Sequence, residues 1–173
     1  MITFIDFVAA FDSVSHKFLD ESLSVAGASD KSRAIFRSIY AKATGVVRVK
    51  GKDGVMEFSP EFPIKRGVLQ GDLFSPVCFI VAIAVLMSRC KVESEGVTVG
   101  ELVAKSLEYA DDAALIDKDT ESATARVSEL ARLARELADM QISIPKTFAM
   151  HMSQKRTMKV PTESDVVAHA KKA

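Results

Sequence analysis

Apolar and polar residues fall into blocks along this chain, and most blocks read as elements of secondary structure. ITFIDF at 2–7 is a short apolar run rich in β-formers and predicts a buried strand. Ser15 can cap a helix over about 16–26, which Gly27 would end. A second helix is expected from Asp30 to about Ala43, with Ile35, Ile39 and Tyr40 on one face. VVRVK (46–50), the turn GKDG (51–54) and VMEFS (55–59) predict a β-hairpin. PIKRGVLQGDLF (63–74) reads as a loop with two glycines. Ser75 as cap and Pro76 at the first helical position then start an apolar helix that ends near Cys90. After the polar loop KVESEG (91–96), residues 97–104 and 106–117 are expected as a strand pair, or as a strand that reverses at YADD. Asp119 or Thr120 opens a helix to about Met140, in which Val127, Leu130, Ala134 and Leu137 recur at helical spacing. Arg126, Arg132 and Arg135 are expected mostly off that face. TFAMHM (147–152) can add a strand, and the polar, basic tail 153–173 is expected to be disordered. Antiparallel strands with helices on one face make an α+β domain the expected class.

Composition narrows the class without naming a chemistry. A length of 173 residues fits one domain, and 48% apolar residues can fill a core. The 23 basic and 23 acidic side chains cancel, a poor match to a stand-alone nucleic-acid binder with its basic stripe. Cys78 and Cys90 have no metal-ligand spacing and lie in or near an apolar run, so both are expected as buried reduced thiols. The run VCFIVAIAVLM (77–87) has eleven residues. That falls well short of the ~20 a bilayer needs, so no membrane partner is expected. No secretory leader is visible, and the expected location is intracellular, nucleus or cytoplasm.

The chemistry sits in four short words: FIDFVAAFD (4–12), RGVLQGDLFSP (66–76), YADD (109–112) and ISIPKTFAM (142–150). Asp6, Asp111 and Asp112 stand at the ends of expected strands. Carboxylates that converge without cations between them stay ionised cheaply only if a cation joins them. Hard divalent cations take oxygen ligands, and two of them clamp an in-line phosphoryl transfer. In isolation, Asp111 and Asp112 would be ordinary turn residues. Gly67, Gln70 and Gly71 form a loop whose glycines let backbone approach a ligand, although its composition alone also fits a plain loop. Asp12 is expected at a helix end, and His16 as a surface helix residue without partners in His151 or His169.

In this order and at these separations, the words resemble the palm of a reverse transcriptase, most closely the LINE-like (non-LTR) retrotransposon type, with group II intron enzymes next. The resemblance covers roughly residues 2–152 and implies a polymerase palm at 1–152, a partial domain without the fingers and thumb. It implies RNA-directed DNA polymerase activity, two Mg²⁺ (or Mn²⁺) ions, an RNA template, a DNA primer and deoxynucleoside triphosphates as partners, and missing fingers and thumb regions of a larger polyprotein. A palm can be neutral where fingers and thumb carry the basic surface. By the same resemblance Asp6, the backbone carbonyl of Phe7, Asp111 and, more weakly, Asp112 hold metal. Phe11 would be the gate that excludes a 2′-hydroxyl, against the plainer reading of a core phenylalanine. Arg66, Gly67, Gln70, Gly71 and Tyr109 would meet template and nucleotide. Lys146 would protonate leaving pyrophosphate, against the plainer reading of a solvated lysine. The sequence departs from the family at Leu73, where proline is usual, and lacks the usual glycine before the lysine word. Two further readings are a degenerate retroelement relic that keeps the fold without activity, and a phosphate-receiver domain. The late acid pair argues against the receiver, whose acid pair comes early.

Overall fold

The computed structural model describes residues 1–151. The tail from 153 onward, expected to be disordered, lies outside the described residues, as does Met152 at the end of the last expected strand. In chain order the elements are β1 (Ile2–Ile5), α1 (Ala10–Ser13), α2 (His16–Val25), α3 (Asp30–Ala41), β2 (Thr44–Gly45), β3 (Arg48–Lys50), β4 (Met56–Phe58) and β5 (Phe62–Pro63). There follow α4 (Ser75–Arg89), β6 (Val97–Val99), β7 (Leu102–Ala104), β8 (Ser106–Tyr109), β9 (Asp112–Ile116), α5 (Thr120–Ala138) and β10 (Phe148–Met150).

The central sheet runs β10-β1-β9-β8, every pair antiparallel. Its register fixes two unlike faces, because side chains alternate along a strand. Thr3, Ile5, Ala113 and Leu115 are buried. Phe148, Phe4, Ala114 and Leu107 form one cross-strand row on the opposite face. Phe4 and Phe148 stack there with centroids 4.9 Å apart and remain exposed, as does Leu107. The buried side meets a core built from Phe18 and Leu19 of α2, Phe36 of α3, Phe79 and Leu86 of α4, and Leu130 of α5, all fully buried. This is the expected α+β class, with helices on one face of an antiparallel sheet.

Local signals explain the starts of α2, α3 and α5. Ser15 and Ser29 accept from the backbone N–H groups of Phe18 and Ser32, and Asp119 with Ser122 forms a reciprocal cap on α5. Ser75 differs from expectation: Phe74 occupies the cap position and Ser75 is the first helical residue. Its hydroxyl lies 3.2 Å from Tyr40 Oη and donates to Asp72 Oδ2 at 3.4 Å, so it joins α4 to α3 and to the preceding loop. Residues 97–104 form their own hairpin, β6–β7, and the strand that reverses at YADD is β8–β9.

Arg126 departs furthest from its expectation as a solvent-facing residue. It is 6% exposed, and its Nη1 donates to Asp117 Oδ1 at 2.9 Å, Lys105 O at 3.1 Å and Ile116 O at 3.2 Å. A charge this deep needs such partners. It leads Leu130 and Ala134 by one and two helical turns, so the spacing itself placed it on the buried stripe. Cys78 is fully buried, and burial together with nearby Asp72 pushes its thiol up to about 11. It is an inert core residue, and Cys90 is half-buried and free. Among the described residues no helix is long and apolar enough to cross a membrane.

Candidate active site

Asp6 follows the last residue of β1, and the antiparallel register with β9 pairs Ile5 with Ala113. One step further along that register, Asp6 faces Asp112. On the other side of β9, Tyr109 pairs with Asp112 and closes the hairpin around a two-residue turn, Ala110-Asp111. Such a turn requires a left-handed residue, and Ala110 supplies it at φ 54°. Ala9, three residues past Asp6, is left-handed as well, at φ 45°. A side chain in that region costs about 1–2 kcal/mol. Among the described residues, two of the three non-glycine residues with positive φ therefore lie within the acidic words, and strain of this kind gathers at functional sites.

A cavity of about 540 Å³ opens on the exposed sheet face. Asp6, Asp112, Tyr109 and Lys146 line its polar end, and Phe4, Leu107 and Phe148 its apolar floor. Asp111 sits in the turn, half-buried, and does not line this cavity. Lys146 Nζ lies 3.5 Å from Asp6 Oδ2. That oxygen is buried and has no hydrogen-bond partner. The backbone around Asp6 is held by Val8 N–H donating to Gln141 O at 2.8 Å and Ser143 N–H donating to Asp6 O at 2.7 Å. Neither bond uses the Phe7 carbonyl, while the Phe7 ring is buried in the core.

Among the described residues no three His, Cys, Asp or Glu side chains gather closely enough to hold a metal by themselves. The donor set nevertheless suits a hard divalent ion. Magnesium is commonly held by one or two carboxylates, with water and substrate phosphate completing its shell. Asp6 and Asp112 share one cavity, and the orphaned Asp6 Oδ2 is an anionic oxygen without a neutral donor.

The second word is fastened to the first. Gly67 N–H donates to Val14 O and Val68 N–H to Phe11 O, both at 2.7 Å, and Ser15 bridges Arg66. Gln70 Nε2 donates to Asp12 Oδ1 at 3.2 Å. His16 Nε2 donates to Gly67 O at 2.9 Å, with its ring against Tyr40 at 4.7 Å. His16 is thus half-buried and holds the glycine loop, in place of the surface residue expected. Asp12 lies inside the four-residue α1 and anchors Gln70, where a helix-end role was expected. Neither role had a signal in the sequence, because both depend on a contact across 51 or more positions. Gly71 is left-handed in an open loop, and Arg66 is exposed. Phe11 is half-buried, stacked on Phe79 at 4.3 Å, so its ring borders both core and surface. Tyr109 is 84% exposed at the end of β8.

Comparison with known proteins bears on the family and the fold. Residues 1–164 match the family described as reverse transcriptase (RNA-dependent DNA polymerase). The chain is 26% identical over 160 residues to the retrovirus-related Pol polyprotein from type-1 retrotransposable element R2 of Popillia japonica, covering 91% of this chain and 22% of that protein. It therefore spans about a fifth of that relative's length. Apo telomerase from Candida tropicalis superposes with a TM-score of 0.61 at 14% identity, over 87% of this chain and 28% of the telomerase. Telomerase from Candida albicans, in complex with a fragment of telomeric RNA, gives 0.58 at 16% identity, over 90% of this chain and 28% of its own.

Proposed function

The chain belongs to the reverse transcriptase family, and from that premise we propose that it is the palm of an RNA-directed DNA polymerase encoded by a retroelement. Its chemistry is nucleotidyl transfer from a deoxynucleoside triphosphate to the 3′-hydroxyl of a DNA primer on an RNA template, inside the cell. The observation that carries this reading is the meeting of Asp6 and Asp112, over a hundred residues apart in sequence, on one cavity with Lys146.

Asp6 and Asp112 offer carboxylate oxygens from one face of the sheet, and for Asp111 in the turn or the Phe7 carbonyl to join them the ion would have to draw these oxygens in. Two Mg²⁺ or Mn²⁺ ions, when bound there, would lower the pKa of the primer hydroxyl and neutralise the triphosphate. The chain's own residues do the rest. The apolar floor of Phe4, Leu107 and Phe148 is open to solvent here and would exclude water once a partner covers it. Phe11, braced on Phe79, limits the room for a 2′-hydroxyl. Gly67 and Gly71 shape the loop that brings Gln70 and Arg66 toward template, and Tyr109 presents an exposed ring. Lys146 can donate a proton to leaving pyrophosphate.

The test is primer extension on an RNA template, with the chain alone and joined to the fingers and thumb of its polyprotein. Extension by the joined protein, abolished by Asp6→Asn or Asp112→Asn, is the expected result. Extension unaffected by Asp6→Asn would refute the assignment, and a joined protein without any extension would point to a relic that keeps only the fold.

A further inference from the structure

The segment that carries Lys146 is fastened to the backbone of Asp6 itself. Ser143 N–H donates to Asp6 O at 2.7 Å, and Asp6 N–H donates to Thr147 Oγ1 at 3.4 Å. Between these two tethers the chain turns back on itself, with Lys146 N–H and Thr147 N–H both donating to Ser143 O, at 3.2 and 2.9 Å. The lysine is thus held in a turn whose two ends grip the residue it faces. Its side chain is 71% exposed, whereas that of Asp6 is 28% exposed. The ammonium stands at the mouth of the cavity and the carboxylate below it, 3.5 Å away. The facing oxygen, Oδ2, is buried and accepts no hydrogen bond. A carboxylate oxygen withdrawn from water needs compensation, and the Lys146 charge is what the described residues supply.

We infer that Lys146 is the resident counter-cation of Asp6, and that a divalent ion must displace it from Oδ2 in order to bind. The inference rests on the reading of Asp6 as a metal ligand. Two cations cannot crowd one oxygen without repulsion, so ion and ammonium compete. Lysine suits a displaceable partner: its charge is compact and its four-carbon stem is flexible. Once released, the mostly exposed side chain re-enters water or meets a phosphate. Ion binding and the freedom of Lys146 to act on pyrophosphate are then one linked event. An engaged site frees the proton donor, and an empty one keeps it on Asp6.

The experiment is a Mn²⁺ titration of the whole chain, following free Mn²⁺ by electron paramagnetic resonance, with wild type, Lys146→Met, Lys146→Arg and Asp6→Asn. An exposed ion pair of this kind implies that Lys146→Met binds Mn²⁺ roughly two- to fivefold more tightly than wild type. Lys146→Arg keeps the charge and stays near wild type, and the gain in Lys146→Met shrinks as salt rises. Equal or weaker binding by Lys146→Met, with binding lost in Asp6→Asn, would overturn the counter-cation role and leave the metal site standing. Wild-type affinity in Asp6→Asn would overturn the metal site itself. Absence of Mn²⁺ binding in wild type and both Lys146 variants would overturn both.

Discussion

At Gly67 the glycine loop packs against the backbone of Asp12 with no room for a side chain, and substituting it tests the docking of the two. At this position φ is +80°, and a Cβ would meet Asp12 O at 2.7 Å and Asp12 C and Cα at 2.8 Å. Those are backbone atoms of α1, with no rotamer through which to yield. Gly71, four residues on, has a similar φ of +92° but nothing within 4 Å of its would-be Cβ. The two glycines therefore separate backbone strain from collision. Alanine at either position meets the left-handed cost of about 1–2 kcal/mol. At Gly67 the overpacking of a fixed neighbour adds about 1–3 kcal/mol. Gly67→Ala is expected to destabilise the chain by about 2–5 kcal/mol and Gly71→Ala by about 1–2 kcal/mol. Urea unfolding followed by circular dichroism, compared at a common slope, measures both. Equal losses in the two variants would show that the loop does not pack on Asp12 as described.

Three further outcomes follow from other parts of the molecule. Arg126→Met leaves Asp117 charged and unpaired in the interior, so a loss of about 3–5 kcal/mol is expected in the same unfolding assay; a loss under 1 kcal/mol would mean that water reaches the pair. Asp20 receives Arg33 Nε at 3.1 Å and Nη2 at 2.7 Å, and the Arg33 hydrogen bonds hold its carboxyl below the ordinary 3.8. A depressed folded pKa stabilises above the unfolded value and is lost as pH falls through the folded one. Asp20→Asn should then cost about 1 kcal/mol at neutral pH and nothing in acid well below 3.8, and a gap independent of pH would reject the ion pair. In a complete polymerase, Phe11→Val should raise ribonucleotide incorporation by about 10- to 100-fold, the equivalent of relieving about 1–3 kcal/mol of clash, whereas unchanged discrimination would assign Phe11 to the core alone.

The two faces of the central sheet differ sharply in exposure. Phe4, Leu107, Phe148 and Met150 stay exposed on the sheet face that carries the acids, while the other face is dry. An exposed apolar floor of this kind beside Asp6 and Asp112 is the sort of patch that marks an interaction surface.

Local chemistry was legible from the order of residues. A β-former-rich apolar run marked β1, a capped apolar run marked α4, and helical spacing marked the amphipathic α5, because burial on one face leaves a period in the sequence. The four words marked the acids, the glycine loop and the lysine, and their resemblance to reverse transcriptases agrees with the family match and with the R2 relative. Only tertiary structure decided which acid lines the cavity, since a shift of one residue along β9 would exchange Asp112 for its neighbours. It alone set Lys146 against Asp6, His16 against Gly67 and Gln70 against Asp12, because periodicity reports which side an element buries and is silent about what meets it there. Arg126 was readable from its place one turn before Leu130, but its charge argued for solvent; three oxygen partners, from the strands and loop packed against α5, made burial the lower-energy choice.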